Sequence, residues 1–109
     1  MGQGTLLFRA SLGAVLRAER MRQSMTLRDL SARARVSLGY ISEIERGQKE
    51  ASSELLAALC EALDLPMSSV LREVSDHVEV QELARLELAP LVVERDLAGP
   101  AGDVVASAA

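Results

Sequence analysis

Apolar residues return along this chain with a period of three to four, in short blocks separated by polar or turn-forming residues. Leu12, Val15 and Leu16 define the first block, a helix over about Leu12 to Arg22 that places Met21 toward the core as well and whose start could reach back toward Thr5. Leu27, Leu30 and Ala34 form the second. Thr26 precedes this block and Asp29 follows three residues later. Thr26-x-x-Asp29 therefore approximates a capping box with the acidic side chain near the positive helix end, and the helix runs from Leu27 to Ala34. Arg35-Val36-Ser37 then supplies a turn, an apolar plug and a new cap. Ile41 and Ile44 point inward from a third helix over 37–46, which Gly47 ends.

A fourth helix runs from Ser53 to Leu63, capped by Ser52 or Ser53, and presents Leu55, Leu56, Leu59, Cys60 and Leu63. Asp64-Leu65-Pro66 turns the chain into a fifth helix carrying Val70, Leu71 and Val74. No stretch shows the strict alternation of a strand. The expectation is an all-α fold, a five-helix bundle with a helical extension at its C-terminal end.

Two short helices joined by a tight turn are the arrangement that lays a second helix into the DNA major groove. With Ile41 and Ile44 buried, Leu38, Gly39, Tyr40, Ser42, Glu43 and Arg46 are left facing outward. Ser37 and Tyr40 are assigned to phosphate oxygens, as are Thr26 and Arg28 at the start of the second helix. Leu38 suits a thymine methyl, Gly39 permits close approach, Ser42 is undiscriminating and Glu43 accepts from cytosine N4. Arg46, Gln48 and Lys49 leave the helix toward backbone or guanine. Each position also has a plain alternative: Tyr40 packing on a neighbouring helix, Glu43 pairing with Arg46, Lys49 merely solvated.

The segment resembles the helix-turn-helix of the Xre/phage-repressor family, through Leu30, Ser31, Val36, Ser37, Ile41, Ser42, Glu45, Arg46 and Gly47. The longer run VSLGYISEIERGQKEASSELL is similar to the actinobacterial Clp-gene regulators. The likeness spans about residues 10–76 and is strongest from Val36 to Leu56. It implies a phage-repressor-like bundle and a structural ion pair between Arg20 and Glu45. It also implies activation of Clp protease and related proteostasis promoters, with RNA polymerase and Clp protease as further partners. Two positions depart from the wider family. Arg35 stands where glycine is common, so a non-glycine residue is expected in left-handed backbone. Leu27 stands where a glutamine often touches phosphate and base, so polar readout from that contact position is lost.

Composition changes the picture in two ways. Of 109 residues, 49% are apolar, but with one Phe, one Tyr and no Trp the core must be aliphatic. The formal charge of -4 conceals an asymmetry: residues 1–49 carry nine basic against four acidic side chains, and residues 50–109 carry three against twelve. The basic half holds the reading helix and can approach phosphates; the acidic half is held away.

The expected organisation is an N-terminal arm (1–10), a DNA-binding domain (11–76), a dimerisation helix (77–90) and a flexible tail (91–109). Val78, Val80, Leu83 and Leu86 continue an apolar stripe that a lone helix cannot bury, so it either folds back or meets a second chain. A homodimer is preferred, because paired reading helices about 34 Å apart match a palindrome in double-stranded DNA. The terminal Ala108-Ala109 is either an end without a role or, as the family likeness implies, a degradation signal read by Clp proteases.

Other chemistry is sparse. Cys60 has no partner for a disulfide or metal set, and His77 beside Ser75 and Asp76 makes no triad, since adjacent helix residues diverge. There is no glycine-rich phosphate loop, so neither an enzyme nor a cofactor or metal is expected. Leu6-Leu7-Phe8 is too short for a signal or membrane span, which makes the expected location cytoplasmic. A protein-interaction module, an antitoxin or adaptor that keeps the helix-turn-helix as scaffold, is the alternative reading.

Overall fold

The structure is a computed structural model and describes residues 2–88. Five α-helices and no strand are found among them: α1 (Gln3–Arg22), α2 (Leu27–Ala34), α3 (Leu38–Glu45), α4 (Ser53–Ala62) and α5 (Met67–Leu88). Among the described residues, 2–78 belong to one compact unit and 79–88 to a second. The expected tail over 91–109, with Ala108 and Ala109, lies outside the described residues.

Local chemistry accounts for most helix ends. The Thr26 hydroxyl accepts from the Asp29 amide at 3.0 Å, and the Asp29 carboxylate accepts from the Thr26 amide at 2.9 Å, so both halves of the capping box are made. The Thr26 amide first, and the Thr26 side chain second, stabilise the ionised Asp29 carboxylate and hold it below its usual range. What the pair contributes to stability is thus present above the ordinary carboxylate pKa and fades as pH falls through the depressed value. Ser37 caps α3 through the Tyr40 amide at 3.1 Å, and Ser52 caps α4 through the Leu55 amide at 3.2 Å. The last carbonyls of α4 are taken by side chains from elsewhere: Arg33 Nη1 donates to Ala62 and Gln23 Nε2 to Leu63.

Three non-glycine residues adopt left-handed backbone just past helix ends: Ser24, Arg35 and Asp64, with φ of 55°, 59° and 58°. Arg35 is exposed, and its amide donates a hydrogen bond to the Ser31 carbonyl. Relief of the left-handed strain outweighs the extra freedom a glycine gives the unfolded chain, so Arg35→Gly should raise stability by about 0.5–1 kcal/mol. A urea midpoint that moves up at constant m-value is the expected result, and an unchanged or lower midpoint would contradict it.

The core is aliphatic. Leu12, Val15 and Leu16 of α1, Leu30 of α2, Val36, Ile41 and Ile44 around α3, Leu56, Leu59, Cys60 and Leu63 around α4, and Val70 and Val74 of α5 are all buried together. Each fully buried aliphatic side chain favours the folded state by about 1.5–3 kcal/mol. Burial also pushes the Cys60 thiol upward, which disfavours the reactive thiolate. Two polar residues lie in this interior, Ser11 and Glu19. Ser11 Oγ is hydrogen-bonded to His77 Nδ1 at 2.8 Å, and the Glu19 carboxylate meets Arg22 Nη1 at 2.6 Å.

Several boundaries differ from expectation. Residues 3–10 are helical and continue directly into α1. This segment, the first eight residues of α1, gains its support from tertiary contact: Phe8 packs against the core, and Arg9 pairs with Glu50 at 3.3 Å. Met21 is 55% exposed because it falls on the solvent face of the last turn, and Leu71 is likewise exposed. No break separates a fifth helix from an extension. With neither proline nor glycine from residue 67 to 88, the helical ladder simply continues. Val78 packs against the core, whereas Val80, Leu83 and Leu86 are exposed on the last turns of α5.

Candidate nucleic-acid interface

Helix α3 is held from beneath and left open above. Ile41 and Ile44 are each 1% exposed, which fixes its inner face. Its far end is fixed by a second device, Arg20 from α1. Arg20 Nε and Nη2 donate to the two Glu45 carboxylate oxygens at 2.7 and 2.9 Å, and Nη1 donates to the Met25 carbonyl at 2.8 Å. The two side chains keep only 11% and 5% of their exposure, and the hydrogen-bonded carboxylate holds the guanidinium above its usual range. Glu45 is thereby committed to structure and is withdrawn from any reading role.

On the open side, Leu38, Gly39 and Arg46 are exposed, and Ser42 and Glu43 are half-buried. A Cβ on Gly39 would meet nothing within 4 Å, so no packing in this chain asks for a glycine there. Arg46 does not pair with Glu43. Its guanidinium bonds Ser42 Oγ and Gln48 Oε1, which leaves the Glu43 carboxylate without a side-chain partner among the described residues. Arg28 and Lys49 are exposed.

Other expected contact residues have structural duties. Thr26 and Ser37 spend their hydroxyls on caps, though each oxygen keeps capacity to donate outward. Leu27 is half-buried against the core. Tyr40 also packs there, and its hydroxyl donates to the Glu50 carbonyl at 3.1 Å, tying α3 to the loop that carries Gln48 and Lys49.

Sequence reading missed two residues beneath this face. Gly13, in mid-α1, is buried against the last turn of α3: a Cβ there would lie 2.4 Å from the Ile44 carbonyl oxygen and 2.6 Å from that of Glu45. Arg17, four residues on and one turn before Arg20, lines the cleft between α1 and α3. The available signal was spacing. Gly13, Arg17 and Arg20 share one face of a helix otherwise rich in good helix formers, where a glycine is costly unless something approaches closely. Gly47 has a related reason: with φ of 75° it sits against the Ala10 backbone, its would-be Cβ 3.1 Å from Ala10 Cα.

A short helix seated on the core, capped, tethered at its far end and bare on its outer face defines a helix-turn-helix DNA-binding protein. The chain belongs to the Xre-type helix-turn-helix family, whose model, described as "Helix-turn-helix", matches residues 16–70. These regulators bind DNA and are not enzymes. The chain is 59% identical over 80 residues to the transcriptional regulator ClgR of Mycobacterium tuberculosis, covering 72% of this chain and 71% of that one. The crystal structure of the clp gene regulator ClgR from Corynebacterium glutamicum superimposes with a TM-score of 0.70 at 46% identity, over 78% of this chain and 89% of that one. The restriction-modification controller protein C.Esp1396I, solved as a tetramer with its natural 35 base-pair operator, shares the fold at 20% identity. Its TM-score is 0.62, over 65% of this chain and 93% of the controller. Among the described residues no helix is long and apolar enough to cross a membrane, and no cluster of side chains could hold a metal.

Proposed function

We propose that the chain is a cytoplasmic, sequence-specific transcriptional regulator that binds a palindromic operator as a dimer through the helix over 37–46. We further propose that it activates Clp protease and related proteostasis genes. The observation that carries the reading is the outer face of α3, where Leu38, Gly39, Ser42 and Glu43 stand clear of any core duty that Ile41, Ile44 and Glu45 discharge. The Clp assignment rests on similarity to relatives named as ClgR and as clp gene regulator. RNA polymerase is then the partner an activator needs, and Clp protease the agent that would read Ala108-Ala109. The exposed Val80, Leu83 and Leu86 lie three residues apart on α5 and favour a second copy as their cover. On this reading residues 11–76 bind DNA and residues 77–90 pair the subunits.

Selection from random duplexes followed by footprinting tests the proposal. The expected result is a dyad with half-sites about 34 Å apart. Glu43→Ala should relax one base position, and Lys49→Ala should weaken all sites alike. Absence of any selected sequence, or a protected site without a dyad, would overturn it.

A further inference from the structure

Beside the outer face of α3 lies a cleft of 220 Å³ lined by Arg17, Arg20, Leu27, Ser42, Glu45 and Arg46. Its charges do not balance. Glu45 is consumed by Arg20 in a bidentate pair, which leaves the guanidinium groups of Arg17 and Arg46. Arg46 is held at the rim by Ser42 Oγ and Gln48 Oε1, both neutral, and no carboxylate pairs with Arg17 among the described residues. Leu27 makes one wall apolar, so it can neither neutralise nor replace an anion's hydrogen bonds. Two like charges facing one cleft repel each other, and a single oxyanion between them turns that repulsion into two charge-assisted bonds. Guanidinium forks match phosphate oxygens in shape as well as charge.

The cleft also shares residues with the reading face. Ser42 and Arg46 belong to both, so a phosphate seated here is one turn of helix away from the base edges that α3 would reach. We propose that Arg17 of α1 and Arg46 of α3 together hold a backbone phosphodiester of the bound DNA. The contact is a positioning one. It clamps α1 and α3 onto the same strand and so sets the angle at which α3 enters the groove. The proposal rests on the DNA-binding reading above, and its test separates the two.

The test measures affinity of the full chain for its selected operator and for a random duplex across a salt series. Arg17→Gln should weaken both by roughly eightfold at about 0.1 M salt and make the log–log salt slope shallower by about 0.9, the loss of one phosphate contact. Arg17→Lys should keep the slope. Arg72→Gln removes the same charge from an exposed position on α5 away from the cleft and measures the long-range field alone. Matching behaviour of Arg17→Gln and Arg72→Gln would overturn the proposal. A second arm follows the arginine Nε–Hε resonances of the wild type during titration with inorganic phosphate against chloride at equal ionic strength. Shifts of Arg17 and Arg46 that vanish in Arg17→Gln support an oxyanion site. Such shifts combined with matching DNA affinities would mean a site for free phosphate and overturn the assignment to DNA. If the wild type selects no operator, the function reading falls by itself; a silent phosphate titration would then remove the cleft as a site as well, and a positive one would leave it to free phosphate only.

Discussion

Glu45→Gln should be among the most destabilising single changes in this chain, at about 3–5 kcal/mol, because it leaves the Arg20 guanidinium in place without its carboxylate. Three donors of Arg20 are engaged, two on Glu45 and one on the Met25 carbonyl, and the arginine keeps only 11% of its side-chain exposure. Water cannot easily replace what is removed. The size of the loss says little about the net worth of the pair, since both charges had to be desolvated to make it. Replacing both partners with apolar residues, Arg20→Met with Glu45→Leu, should therefore cost far less than either single change. For a domain of this size the single variant should melt roughly 12–20 °C lower, and the double variant within a few degrees of the parent. Thermal unfolding followed by far-ultraviolet circular dichroism reads both. Equal losses in the single and double variants would mean that packing, not the uncompensated charge, is what Glu45 provides.

That pair shows what sequence can and cannot carry. The bounds of α2 are written in Thr26 and Asp29, because a capping box is a local device and needs no other part of the chain. The left-handed turn at Arg35 is similarly local. The Arg20–Glu45 pair spans 25 residues and came from family likeness rather than from spacing. The beginning of α1 was hidden for the opposite reason. Gly2 and Gly4 discourage a helix and no side chain caps it, while Phe8 against the core and Arg9 against Glu50 are tertiary supports invisible to periodicity. For Tyr40, near the outer face of α3, the sequence leaves two places open, a phosphate oxygen or packing on a neighbouring helix. An amphipathic ring with a reachable carbonyl at Glu50 settled inward. At the candidate site, the exposure of Leu38, Gly39 and Arg46 was legible from helical spacing, whereas the close approach at Gly13 and the place of Arg17 in the cleft were not, because both belong to a helix distant in sequence from α3.

Gly13→Ala is the sharpest test of that close approach. A methyl group at Gly13 would stand 2.4 Å from one carbonyl oxygen of α3, 2.6 Å from a second and 2.9 Å from the Glu45 carbonyl carbon, all of them backbone. No rotamer change can relieve contacts with backbone, so α1 and α3 must part by on the order of 1 Å, the distance to ordinary van der Waals contact. Overpacking of this kind costs about 3 kcal/mol, against a gain of under 1 kcal/mol from the better helix propensity of alanine. Ile44 must shift with its backbone, and the Arg20 fork must stretch to keep Glu45. The expected result is a lowered unfolding midpoint together with loss of operator affinity that persists at temperatures where the variant is fully folded, because the reading helix is displaced. Gly39→Ala provides the contrast. Nothing in the chain lies within 4 Å of its would-be Cβ, so that variant should be more stable by about 0.5–1 kcal/mol while still binding operator less well if α3 meets DNA closely. A Gly13→Ala protein with parental stability would mean that α1 and α3 do not meet as closely as the structure places them. Unchanged affinity in a folded Gly13→Ala protein would mean that the seat of α3 on α1 does not set its reading angle.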